Sequence, residues 1–156
     1  MKRHQKNLGN TGTLIFLALI SAFPPLSIDL YLPAMPQMVD TLATTHSRVN
    51  MTLSMFLIFY AGGLLFWGPL SEKFGRKPIL LTGLGIYIFS SILCALSLSV
   101  DQLILSRMLQ AFGGSAATVV AAAIVKDLYD GRQRERVMAT VMSMVIIAPM
   151  VAPVLG

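Results

Sequence analysis

Residues 51–100 read MTLSMFLIFYAGGLLFWGPLSEKFGRKPILLTGLGIYIFSSILCALSLSV, and this stretch decides the fold. Two apolar runs, about Met51–Pro69 and about Pro78–Val100, flank a short charged connection holding Glu72, Lys73, Arg76 and Lys77. Each run is roughly 20 residues, which at ~1.5 Å rise lets a helix cross the ~30 Å hydrocarbon core of a bilayer. Both runs are apolar nearly all round rather than along one stripe, as lipid-embedded helices are.

The same pattern repeats on either side. An apolar run of about Thr13–Pro33 precedes the stretch, and runs of about Leu103–Val125 and about Val137–Gly156 follow it. The fold class expected is therefore all-α: a polytopic bundle of about five spans over residues 13–156, behind a tail of residues 1–12. Composition agrees, with 55% hydrophobic and 12% charged residues, where a soluble domain carries about a quarter charged. Lys2, Arg3 and Lys6 followed by Leu14–Phe23 resemble the start of a signal peptide. The run continues through Pro24, Pro25 and Asp29 without a clean small-x-small site, so the first span is expected to stay. Pro24 and Pro25 are expected to kink or locally open it.

The connections fix an orientation. Lys2, Arg3 and Lys6, then Lys73, Arg76 and Lys77, then Lys126, Arg132, Arg134 and Arg136 make ten of the twelve Lys and Arg. All ten lie on one side if the spans alternate; the other side has Arg48 alone. The positive-inside rule places that basic side, and the amino tail, in the cytoplasm.

Several function classes have little support. The net charge of +5 is not laid out as a basic stripe with interleaved aromatics, so nucleic acid is set aside. The single Cys94 builds neither a disulfide framework nor a cysteine zinc site. Ten scattered Met residues read as apolar filler. His4 and His46 have no metal-ligand spacing, and no nucleophile–base pair, P-loop or carboxylate pair can be assembled. No enzyme and no cofactor are expected. Gly114, Thr118 and Ala122 form a small-xxx-small ridge suited to close helix packing.

Two ionisable residues fall inside expected spans, Asp29 and Arg107. A charge at mid-bilayer costs at least ~2.5–3.5 kcal/mol on insertion scales, so such residues normally face a bundle interior or a wet cavity. Counted along their helices, both lie roughly 6 Å below the outer boundary of the hydrocarbon core. Arg107 either snorkels to that interface or acts within the bundle. Asp29 either caps a break in a Pro-rich helix end or serves as a proton-accepting carboxylate. Gln110, nearly one turn from Arg107, is a polar partner on the same face.

The connection Gly68-Pro69-Leu70-Ser71-Glu72-Lys73-Phe74-Gly75-Arg76-Lys77-Pro78-Ile79-Leu80 is similar to the major facilitator superfamily signature G-x-L-[SA]-[DE]-[RK]-x-G-R-[RK]-x-x-[LI]. Leu105–Gly113, with Arg107 and Gln110, resembles the family's helix-four pattern R-x-x-Q-G, with Ala111 in place of its Gly. Ser27–Pro36 resembles helix one of the bicyclomycin/chloramphenicol-resistance branch of bacterial drug:proton antiporters. Ala148–Gly156, with Pro149 and Pro153, resembles the helix-five antiporter pattern G-x-x-x-G-P-x-x-G-G. Ala148 and Ala152 replace two of its glycines, and Gly156 matches the first of the final pair.

This resemblance implies the front of a proton-coupled multidrug exporter in a bacterial inner membrane, with protons as coupling ion and a lipophilic drug-like cargo. Asp29 would be the proton or cation-cargo site and Arg107 its electrostatic regulator, with Gln110 beside it. Pro149 and Pro153 would belong to a helix-five hinge or seal. Gly68 and Gly75 would permit close packing and a tight turn. Glu72, one methylene longer than the commoner Asp, would act on a helix end from the other half. Family members normally have twelve spans in two six-helix bundles, so a truncated frame or a fragment is expected, unable to transport without the remaining carboxy-terminal helices. The alternatives are a small membrane protein that assembles with a separate chain, or part of an uptake porter of the same superfamily.

Overall fold

The computed structural model describes residues 10–155. Lys2, Arg3, His4 and Lys6 of the tail, and Gly156, lie outside the described residues. Five helices follow in order: α1 Asn10–Thr41, α2 His46–Phe74, α3 Arg76–Ala95, α4 Val100–Leu128 and α5 Gly131–Leu155. Among the described residues, α1 to α4 are each long and apolar enough to cross a membrane. The fifth expected span corresponds to α5, whose first turns carry Arg132, Arg134, Glu135 and Arg136 before the apolar portion from Val137.

Helix ends follow local chemistry. Thr45 caps α2 by accepting from the Arg48 backbone N–H, and Ser99 caps α4 by accepting from that of Gln102. Asp101 in the first turn of α4 and Lys126 in its last oppose the helix dipole favourably. Gly75 joins α2 to α3 at φ +94°, a conformation that a side chain disfavours.

Two helix ends differ from the ends of the apolar runs, and α1 stays helical at its internal prolines. The first helix does not open at Pro24 and Pro25, and it does not stop at Pro33. Helical structure runs unbroken through Pro24, Pro25, Pro33 and Pro36 to Thr41. Hydrocarbon offers freed backbone groups no partner, so staying helical is the cheaper response. The 32 residues of α1 reach roughly 48 Å, which carries Gln37 and Asp40 past the apolar core. The third helix ends at Ala95 rather than near Val100, because residues 96–99 make the turn into the Ser99 cap.

α4 is the central element. α2 and α3 pack along it, while α5 packs mainly on α1. The closest approaches rely on missing side chains. A Cβ on Gly83 would sit 2.3 Å from that of Ala116, and one on Gly63 would sit 2.1 Å from Ser115 Oγ. The ridge Gly114–Thr118–Ala122 plays a smaller part than expected. Gly114 packs on Tyr87 and Pro24, but Thr118 and Ala122 border a cavity. Large apolar side chains face outward, among them Leu65, Leu81, Ile88 and Phe89, as lipid requires.

Candidate functional site

Two sites border successive stretches of α1. On one, Ser27 and Tyr31 turn toward α2 and α3: Ser27 Oγ bonds Tyr87 Oη, and Tyr31 Oη bonds Thr52 Oγ1. On the other, Leu17, Ser21 and Pro25 line a cavity. Asp29 stands one turn beyond Pro25 and continues this i, i+4 row. At ~100° per residue, Asp29 and Tyr31 lie about 160° apart around the helix.

Arg107 belongs to the Tyr31 side. Its guanidinium carbon lies 4.0 Å from the Tyr31 ring centre and 5.9 Å from that of Phe56. Nη1 donates to Gln110 Oε1 at 3.0 Å, and Gln110 Nε2 donates to Ser91 Oγ at 2.8 Å. Gln110 is buried and Arg107 half-buried. Arg107 and Gln110 are thus brought together as the spacing suggested, at a junction of α1, α2, α3 and α4. Asp29, half-buried, is not brought to them. Among the described residues, ion pairs form at Arg48–Asp101 and Arg76–Asp127, and neither includes Asp29 or Arg107.

The cavity measures about 180 Å³. Its walls are Leu17, Ser21 and Pro25 of α1, Tyr60 of α2, Thr118 and Ala122 of α4, and Met138 and Met142 of α5, with neighbouring small apolar residues. No charged side chain lines it. Tyr60 Oη and Thr118 Oγ1 are 2.9 Å apart and form its polar wall. Such a space suits a compact, largely apolar ligand with a group able to bond a hydroxyl.

At the basic end, Arg76 Nε donates to Asp127 Oδ2 at 3.0 Å and Arg76 Nη1 to Ser71 Oγ at 2.8 Å. This ties the start of α3 and the end of α2 to the end of α4. Leu70 packs against the buried cluster around Trp67. Glu72, Lys73 and Lys77 are exposed, and Lys73 lies over the Phe74 ring. Gly75 serves the turn as expected. Gly68 does not serve close packing within these helices, because a Cβ there would meet nothing within 4 Å. Ala148, Pro149, Ala152 and Pro153 lie in the carboxy-terminal part of α5.

Sequence reasoning missed three residues. Asp127 reads as loop charge beside Lys126, and only its distance to Arg76 reveals it. Tyr31 and Thr52 read as ordinary span residues, and their pairing depends on how α1 meets α2. Tyr31 does sit two residues from Asp29, and its polar tip in an apolar run was the available signal.

A family model for the Major Facilitator Superfamily matches residues 15–156. The chain belongs to that superfamily. Curated relatives are similar across nearly the whole chain. The chloramphenicol resistance protein of Pseudomonas aeruginosa is 39% identical over 146 residues, 93% of this chain and 35% of the relative. The bicyclomycin resistance protein homolog of Haemophilus influenzae is 35% identical over 148 residues, 93% of this chain and 37% of the relative. The multidrug resistance protein MdtL of Klebsiella pneumoniae is 32% identical over 143 residues, 92% of this chain and 36% of the relative. The chain spans about a third of the length of these relatives. As a superfamily member with several apolar helices, it is a multi-pass membrane protein.

Proposed function

We propose that this chain is the helix-one-to-five part of a proton-coupled exporter of lipophilic, drug-like molecules. The observation that carries the reading is the uncharged cavity of about 180 Å³ together with the α1 row that leads from it to Asp29. An apolar cargo would enter between α1, α2, α4 and α5 and bond the Tyr60–Thr118 wall. Asp29, one turn along α1 from the cavity residue Pro25, would exchange a proton or meet a cationic group as cargo comes and goes. The names of the relatives support drug-like cargo. The basic ends of α2, α3, α4 and α5 support a cytoplasmic position for Arg76 and Arg132, in a bacterial inner membrane.

These five helices form one body, and alternating access needs two bodies that rock against each other. The 156-residue chain alone is therefore expected not to export drug from proteoliposomes. The decisive test uses a longer relative with Asp at the position matching Asp29. Asp29→Asn there should abolish or uncouple proton-driven efflux. Unchanged coupling in that variant sinks the reading.

A further inference from the structure

Among the described residues, half-buried Arg107 has no carboxylate counter-ion. Among the described residues, both ion pairs lie elsewhere, at Arg48–Asp101 and Arg76–Asp127. Its Nε is the one buried side-chain polar atom among the described residues without a hydrogen-bond partner. The void bordered by Arg107, Ile28, Tyr31, Thr52 and Phe56 has no room for a water molecule.

What the guanidinium has instead is the Tyr31 ring at 4.0 Å. A ring face attracts a cation through its quadrupole, most strongly where water is excluded. The ring is itself held. Tyr31 Oη bonds Thr52 Oγ1, which donates onward to the Val49 carbonyl at 2.6 Å. On its far side the guanidinium is fixed through Gln110 to Ser91 of α3. Asp29 lies about 160° around α1 from Tyr31.

We propose that Tyr31, braced by Thr52, is the positioning residue of Arg107: its ring stands where a counter-ion would, and holds the guanidinium away from Asp29. Asp29 then exchanges its proton or cation on the far side of α1 from Tyr31 without being locked in a permanent pair. That consequence for coupling rests on the proposed transport reading; the clamp itself does not.

The test uses the whole chain in lipid nanodiscs with ¹⁵N-labelled arginine. The Arg107 Nε–H resonance is assigned by its loss in Arg107→Lys. It should be shifted upfield by the ring and exchange slowly with water. Tyr31→Leu should abolish the ring shift and speed exchange at least tenfold, since a desolvated cation–π contact carries a preference of roughly thirtyfold. Tyr31→Trp should restore both, which a role in packing volume alone does not predict. Tyr31→Phe and Thr52→Val should keep most of the shift and speed exchange by a smaller factor. Asp29→Asn should leave the resonance in place. An Asp29→Asn shift as large as that of Tyr31→Leu overturns the proposal, as does an unmoved resonance in Tyr31→Leu. If Tyr31→Leu does not fold, unchanged exchange in both Tyr31→Phe and Thr52→Val overturns it. Failure of the coupling reading shows separately, as unchanged efflux in the Asp29→Asn variant of the longer relative.

Discussion

α4 meets its neighbours in two ways. Toward α2 and α3 the backbones nearly touch, over Gly63, Gly83 and Gly113. Toward α1 and α5 the contact loosens into a cavity of about 180 Å³. The difference is chemical. In lipid, burying an apolar face gains little, because the tails are as apolar as the helix. Helices hold together where small residues let backbones approach and where polar groups bond across the seam. The α2–α3–α4 side has both. The α1–α5 side has larger Met and Leu side chains against Ala and Thr, and leaves a space. The first side is a scaffold, and the second leaves the space that the proposed cargo would occupy.

The comparison breaks most severely at Gly113. A Cβ there would lie 2.7 Å from both the Gly83 carbonyl oxygen and the Tyr87 nitrogen. Neither backbone atom can swing aside, so Gly113→Val must force α3 off α4. A loss of at least about 3 kcal/mol is expected, the upper range for overpacking, read as a lower midpoint in equilibrium SDS unfolding. Gly62→Ala is the control. Nothing lies within 4 Å of a Cβ there, and it should change stability by less than about 1 kcal/mol, toward stabilisation. Equal effects would mean that the α3–α4 seam is not the tight one.

On the loose side, Ala122→Phe should act the other way round. Ala122 is exposed and borders the cavity, so a ring there fills empty space rather than displacing backbone. Unfolding should shift by less than about 1 kcal/mol, while binding of a lipophilic fluorescent probe to the chain should fall about tenfold or more, the scale on which pocket shape discriminates. Probe binding that survives Ala122→Phe places the ligand elsewhere.

The helices behind this contrast were legible in the sequence, and what was not has a physical cause. Five helices could be read because lipid demands length and apolarity, and both are visible residue by residue. Their ends were harder. Pro33 looks like a stop, but a helix passing from lipid to water need not break at a proline. Leu96 and Leu98 look like span residues, yet they form a turn. The spacing of Arg107 and Gln110 showed that they meet, since both sit on one helix. Tyr31, Thr52 and Asp127 escaped because their roles depend on which faces of separate helices touch. The same reason hid the closest packing: Gly114–Thr118–Ala122 and the row through Gly113 and Ala116 are equally small-residue patterns, and only the neighbours choose between them.

A smaller effect sharpens the scaffold side. Trp67 Nε1 donates to the Phe112 carbonyl at 2.8 Å, and its ring packs on Phe66 and Phe112. Trp67→Phe keeps an aromatic ring and removes one hydrogen bond between α2 and α4. Interhelical bonds in membranes average ~0.6 kcal/mol, so a loss of about 0.5–1 kcal/mol is expected beyond the smaller ring. A loss near that of Gly113→Val would show that polar bonds, rather than close backbones, dominate this seam.

The smallest effect belongs to Arg76 and Asp127. Their 3.0 Å pair sits at the membrane edge, with Asp127 about half exposed. Water and salt screen such a pair, and pairs of this kind contribute about 0–1 kcal/mol. Asp127→Asn should therefore barely move the SDS midpoint. It should, however, release Arg76 from the end of α4 and leave it on Ser71, within its own connection. The pair joins the two tight seams at their basic end, so its loss should appear as faster amide exchange in the last turn of α4 and the first of α3. Exchange that stays slow there would mean that the glycine contacts alone fix the register of α3 on α4, and that the signature connection adds nothing to the scaffold.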